Sequence, residues 1–184
     1  MQSFNWIQTS LSIIVALSVT RLMVSMSNLY IARDKVKGDW IPYIWAICIF
    51  FLALQFSWTF LTLGKTNIEW SFGVFLWLLV MVLPLFFAAA LILPNTDFQA
   101  GGDLTAWFQK NGRVALLCFA FYSIAVYPFN WYFFNLSPVD RPYAGIAALM
   151  AIVGYATKSR SVLTLVTLAA FSIVTLFAVR MLIQ

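Results

Sequence analysis

Ser18, Arg21, Ser25 and Asn28 are spaced three, four and three residues apart in an otherwise apolar run. On a helix these positions form one stripe. Hydroxyls, an amide and a permanent cation in one line suit the binding of an anion or a lipid headgroup. Arg21 lies ten residues before Ile31, roughly 15 Å along a helix, which is near mid-membrane or in the cytoplasmic half if the run spans a bilayer. An arginine there costs about 2.5–3.5 kcal/mol on insertion scales, so the stripe should turn inward. No span offers a carboxylate at that depth. The partners left are hydroxyls, carbonyls, Gln55, water, a lipid phosphate or an anionic ligand. Arg21 is therefore either an anion site or a structural group that bonds helix carbonyls across the bundle or snorkels to the interface.

Gln55 adds to this chemistry, because a primary amide rarely bonds only within its own helix. Thr59 and Thr62 follow it at helical spacing, and Thr164, Ser172 and Thr175 share a face near the C-terminus. Such hydroxyls either bond their own helix or line a polar cavity. Asn130 stands beside Pro128 and Trp131. Pro128 and Pro84 each free a backbone carbonyl and are expected to mark kinks.

The chemistry that is missing is equally informative. The chain has no histidine, so imidazole ligation and a histidine base are absent. Cys48 and Cys118 lie in apolar runs outside any metal-ligand spacing and read as small buried hydrophobes. The six acids, Asp34, Asp39, Glu69, Asp97, Asp103 and Asp140, all fall in loops or at helix ends. An energised transporter usually carries a mid-membrane carboxylate. No P-loop, GxSxG, HExxH or dinucleotide fingerprint occurs, and no lysine lies in a span to activate a serine. The expectation is no enzyme, no catalytic residue, no metal and no cofactor.

The elements that hold these residues follow from composition. Of 184 residues 63% are hydrophobic and only 9% charged, whereas soluble domains carry about 25% charged residues. This is an integral membrane protein. The net charge of +5 is spread over short loops and calls for no nucleic acid. A span needs about 20 apolar residues. Six segments qualify, at about 5–31, 40–63, 70–93, 112–134, 138–157 and 161–183. The fold expected is all-α, a single polytopic transmembrane helix bundle over 1–184. Asp103 is a good N-cap, and Leu104, Trp107 and Phe108 share a face, so a short interfacial helix is expected at about 103–110. Trp6, Trp40, Trp70 and Trp107 fall at span ends, as an aromatic belt does. Arg33, Lys35, Lys37, Lys110, Arg113, Lys158 and Arg160 occupy odd-numbered loops, against Lys65, Arg141 and Arg180 on the other side. That bias puts the odd loops in the cytoplasm and both termini outside. The start MQSFNW lacks the features of a cleaved signal peptide.

Ala144, Ala147, Ala148, Ala151 and Gly154 make small-xxx-small spacings in the fifth span. Such a helix is either packed closely on both sides or lies at an oligomer seam.

Several landmarks occur in order. They are Leu17-Ser18-x-x-Arg21-Leu22, Trp40 with Trp45, Gln55-x-x-Trp58, Trp70-Ser71-Phe72, Pro84, and Leu91-Ile92-Leu93-Pro94 before Asp97. This pattern resembles a group of small six-span inner-membrane proteins of bacteria. The resemblance implies a bacterial inner membrane and a six-helix layout. It attaches no activity, and no functional residue is carried over from it.

Two functions are expected from these features. The first is a non-enzymatic membrane protein acting through helix contacts, as an oligomer or an accessory subunit of a membrane complex. The second is a small passive channel or carrier for an anion or amphipathic solute, built on the Arg21 stripe with Gln55. The partners expected are the lipid bilayer, further copies or other membrane subunits, and a lipid or anionic ligand.

Overall fold

The structure is a computed structural model that describes residues 2–64, 69–94, 102–137 and 142–183. Lys65, Asp97, Asp140 and Arg141, and the turn residues Thr66, Asn67 and Pro138, lie outside the described residues. The described residues are helical apart from short connections. The elements are α1 (Gln2–Ile31), α2 (Ile41–Leu63), α3 (Phe72–Ile92), α4 (Leu104–Trp107), α5 (Arg113–Phe134), α6 (Tyr143–Ala156) and α7 (Arg160–Ile183), with a π turn over Phe108–Gly112.

Five stretches are long and apolar enough to cross a membrane: Phe4–Ile31, Ile41–Leu63, Phe72–Ile92, Leu104–Phe134 and Arg160–Arg180. The sixth expected span is shorter. α6 has 14 residues, about 21 Å of helix against the roughly 30 Å of a bilayer core. The short α4 also differs from the interfacial helix expected over 103–110. Asp103 caps it as its position requires, accepting from the Thr105 and Ala106 amides. The helix does not stop there, however, but runs through the π turn into α5. The turn exists around Gly112, where a Cβ would lie 2.4 Å from Cδ2 of the buried Phe108.

Contacts order the helices α1, α3, α5, α6, α7, α2 around a ring, with α2 touching α1, α7 and α3. α1 shows why it docks as it does. Its buried positions Leu11, Val15, Ser18, Leu22, Ser25 and Leu29 repeat every three or four residues, a seam that presents one face to its neighbours.

One end of the bundle is tied together by polar contacts. Lys37 pairs with the segment before α4, its amide donating to the Gly102 carbonyl and its carbonyl accepting from the Leu104 amide. The Arg160 guanidinium grips Asp39 with two N–H···O bonds of 3.1 and 3.2 Å. The same carboxylate accepts from the Ile41 amide at 3.2 Å and the Thr105 hydroxyl at 3.4 Å. Arg113 donates to the Thr157 carbonyl at 2.8 Å, holding the end of α6 level with the start of α5. All seven basic residues assigned to the odd loops lie at or beside this end, which we call the basic end.

Candidate functional site

The α1 stripe is buried as its composition demands. Ser18 and Ser25 are fully buried between the leucines of the seam. Ser18 returns its hydroxyl to the Ile14 carbonyl at 2.8 Å. Arg21 is half-buried and donates to the Ala90 carbonyl of α3 at 3.5 Å. Ser25 Oγ and Asn28 Nδ2 are buried without a hydrogen-bond partner. Arg21 thus makes the carbonyl contact across the bundle, and the stripe faces a neighbouring helix. It is not joined to Gln55, which lies in a different part of the molecule.

Gln55 lines a cavity of about 610 Å³ whose walls come from α2, α5, α6 and α7, with Met81 from α3. Among the described residues none that lines it comes from α1. The cavity exists because α6 is short. Arg113 holds α6 level at the basic end, so its deficit in length appears entirely at the other end. Tyr127 marks where α6 begins: its hydroxyl accepts from the Gly145 amide at 2.6 Å and donates to the Pro142 carbonyl at 3.3 Å. Tyr127 is fourteen residues into α5, with seven more to follow. Beyond that level α2, α5 and α7 continue without α6 between them. The gap is lined by Thr59 and Thr62, by Asn130 and Phe134, and by Tyr143, Phe177 and Arg180.

Two neighbouring side chains dominate the inner part. Tyr122 and Ser123 are each only 3% exposed and both line the cavity. Neither hydroxyl has a hydrogen-bond partner among the described residues, and both oxygens keep some contact with the open space. Gln55 Nε2 is buried and also without a partner. Buried polar groups are nearly always bonded, and an unmet one costs about 1–3 kcal/mol. Apolar walls surround them: Phe56 stands edge-on to Tyr122, ring centroids 6.3 Å apart, with Phe129 and Val174 nearby in the lining. Thr59 is spoken for, donating to the Gln55 carbonyl at 2.9 Å.

A packed layer closes the cavity toward the basic end. Trp45 is seven residues before Leu52, Phe119 four before Ser123, and Thr167 six before Ile173. All three are fully buried. Trp45 Nε1 donates to Thr167 Oγ1 at 3.0 Å, and its ring meets Phe119 edge-on at 5.3 Å.

The small residues of α6 are used inside the chain. Ala147, Ala148, Ala151 and Gly154 are buried and Ala144 half-buried, because α6 lies between α5 and α7. A Cβ on Gly154 would lie 3.1 Å from Leu116 Cδ1. Within the chain this face packs against α5 and α7.

Tyr122, Ser123 and Arg180 were not singled out by sequence reasoning as site residues. One signal was present: Ser123 and Asn130 are seven apart, two helical turns on one face. The Asp39–Arg160 pair joins residues 121 apart and left no local signal. Among the described residues no three His, Cys, Asp or Glu come together to hold a metal ion. No family model, curated protein or solved structure matches the chain.

Proposed function

We propose that this is a non-enzymatic membrane protein that binds an amphipathic small molecule, as a carrier or binding subunit, with the Gln55 cavity as its site. The observation that carries the reading is the buried, unpartnered Gln55 Nε2 at a 610 Å³ space that the almost fully buried residues Tyr122 and Ser123 also line. Pockets of about 300–1,000 Å³, mostly apolar with a few convergent polar groups, are the usual form of a small-molecule site. The setting we propose is a bacterial inner membrane with the basic end in the cytoplasm, supported by seven basic residues against three. The cavity then opens away from the cytoplasm, and the Trp45–Phe119–Thr167 layer separates it from the cytoplasmic side. This moves the solute site from Arg21 to Gln55.

A second reading, contact with another membrane helix, is favoured by a different surface. Thr9, Ile13, Ala16, Thr20, Met23 and Ser27 repeat at four- and three-residue spacing on α1 and are all exposed. Ala16 and Thr20 form a small-xxx-small pair of the kind that lets helices approach. This replaces the α6 face as the place where a second copy or another subunit would sit.

Native mass spectrometry of protein gently extracted from its own membranes separates the two. A small molecule retained by the wild type and lost from Ala144→Trp, which enlarges a side chain lining the cavity, supports the binding site. A stoichiometric protein partner with no small molecule supports the helix-contact reading and sinks the first.

A further inference from the structure

Resting on the reading of the cavity as a binding site, we infer that its ligand is a compact organic anion held head-outward. The charge sits at Arg180 and Tyr143, and a hydrogen-bond acceptor farther along the molecule meets Gln55 and Ser123. Three observations carry this.

The first is charge. Among the described residues Arg180 is the one charged residue lining the cavity, and none of the described acids lines it. Its guanidinium donates to the Tyr143 hydroxyl and lies 5.7 Å from the centroid of that ring. Among the described residues it has no carboxylate partner. A guanidinium offers five donors in a planar fork matched to carboxylate, sulfonate or phosphate oxygens. Tyr143 uses part of that fork and positions the rest.

The second is the far end. Gln55 Nε2 can only donate, so the group that meets it must accept. Ser123 Oγ can donate to the same acceptor. The floor residue Ile173 lies seven residues before Arg180 on α7, so floor and mouth are separated by roughly 10 Å of helix. Between them Phe56, Phe129 and Val174 supply apolar wall beside the polar Thr59 and Asn130. The ligand is therefore polar at the mouth, has a body that packs against Phe56, Phe129 and Val174, and carries one acceptor near the floor.

The third is size. At about 30 Å³ for each water-sized group, 610 Å³ holds about twenty non-hydrogen atoms. A two-chained phospholipid is far larger. An anionic lipid presents the same head chemistry, so the test separates the two sources.

The probe is 4-benzoylbenzoate, a carboxylate joined through an aromatic ring to a ketone that also crosslinks to nearby C–H groups on illumination. Its control is the uncharged 4-methylbenzophenone. Both are applied to the full chain in phosphatidylcholine nanodiscs, and labelled peptides are mapped by mass spectrometry. The expected result is saturable labelling of α2 and α5 cavity residues by the anion. Arg180→Gln should raise its half-saturation about 3- to 10-fold and that of the neutral control by less than about twofold. Gln55→Leu should weaken both probes, since both carry the ketone. If Arg180→Gln affects the two probes equally, the anion inference is overturned while the binding site stands. If labelling does not saturate, or Ala144→Trp labels like the wild type, the cavity reading itself falls. Displacement of the carboxylate probe by phosphatidylglycerol would assign the site to a lipid headgroup and overturn the compact ligand.

Discussion

The layer beneath the cavity gives the sharpest test of the packing argument. Thr167→Val keeps the shape of the side chain and removes the oxygen that accepts from Trp45 Nε1 at 3.0 Å. The indole is fully buried, so its N–H is left without water or a second acceptor. An orphaned buried donor costs about 1–3 kcal/mol in soluble proteins. Interhelical hydrogen bonds in membrane proteins average about 0.6 kcal/mol, with values up to about 1.7, because the unfolded chain also finds partners. Full burial of both groups places this bond in the upper part of that range, so Thr167→Val should cost about 1–2 kcal/mol. The Thr167 hydroxyl also donates to Leu163 within its own helix at 2.7 Å, so the single variant mixes two effects. A double-mutant cycle with Trp45→Phe isolates the one of interest. Removing both partners leaves nothing orphaned, so the double variant should be more stable than the sum of the singles by about 0.5–1.5 kcal/mol. The measurement is reversible unfolding in mixed detergent micelles followed by far-UV circular dichroism, which is insensitive to the loss of one tryptophan. A coupling within about 0.3 kcal/mol of zero would refute the claim that this bond holds the layer closed.

Three further outcomes are expected. At the basic end, Asp39 is 2% exposed and Arg160 59%, so the ion pair is partly screened and Arg160→Ala should cost only about 1 kcal/mol. Asp39→Ala also orphans the buried Ile41 amide and should cost about 2–3 kcal/mol, with Asp39→Asn between them; equal losses for Ala and Asn, by thermal unfolding in detergent, would show that the amide bond is not what matters. Gly112→Ala places a methyl 2.4 Å from Phe108 Cδ2 and should lower stability by about 1–3 kcal/mol, whereas Gly38→Ala, with open space around it, should change it by less than about 0.5 kcal/mol. The Thr105 and Ala106 amides hold the Asp103 carboxyl below its ordinary value of 3.8. Its contribution is therefore complete above that value and lost as pH falls through and below it. An Asp103→Ala variant should differ from the wild type in hydrogen exchange at residues 104–107 at neutral pH, and the difference should shrink below about pH 4.

The sequence revealed the layers of this fold unequally, for physical reasons. Hydropathy finds helices because a bilayer demands about 20 apolar residues per span. It found α1, α2, α3, α5 and α7 for that reason. The segment over 138–157 met the same demand only by adding its flanks, and the helix proves to be the 14 residues of α6. The π turn at Phe108–Gly112 was hidden because a one-residue shift of helical phase leaves composition unchanged. The stripe of Ser18, Arg21, Ser25 and Asn28 was legible as an inward face. Whether that face meets a cavity or a helix depends on what sits opposite, and only the ring order of helices decides it. Gln55 was found as an amide in a span, while Tyr122 and Ser123 passed as an ordinary tyrosine and serine in an apolar run. Their weight comes from lying beside the gap, a property of how the helices are arranged and not of the local chain.

That gap follows from two lengths and one anchor. α5 has 22 residues and α6 has 14, a difference of about 12 Å along the helix axis. If α6 floated between its neighbours, the missing length would be shared between both ends as two shallow dents. Arg113 prevents this by bonding the Tyr155 and Thr157 carbonyls where α6 ends. Tyr127 fixes the other terminus by bonding Gly145 and Pro142. The whole deficit is therefore gathered at one end, where α2, α5 and α7 continue past α6. A single deep cavity can bury polar groups that two shallow dents would leave in lipid or water. The one-sidedness of the cavity is thus a property of where α6 is pinned. The Trp45–Thr167 layer marks where the packing of all the ring helices resumes.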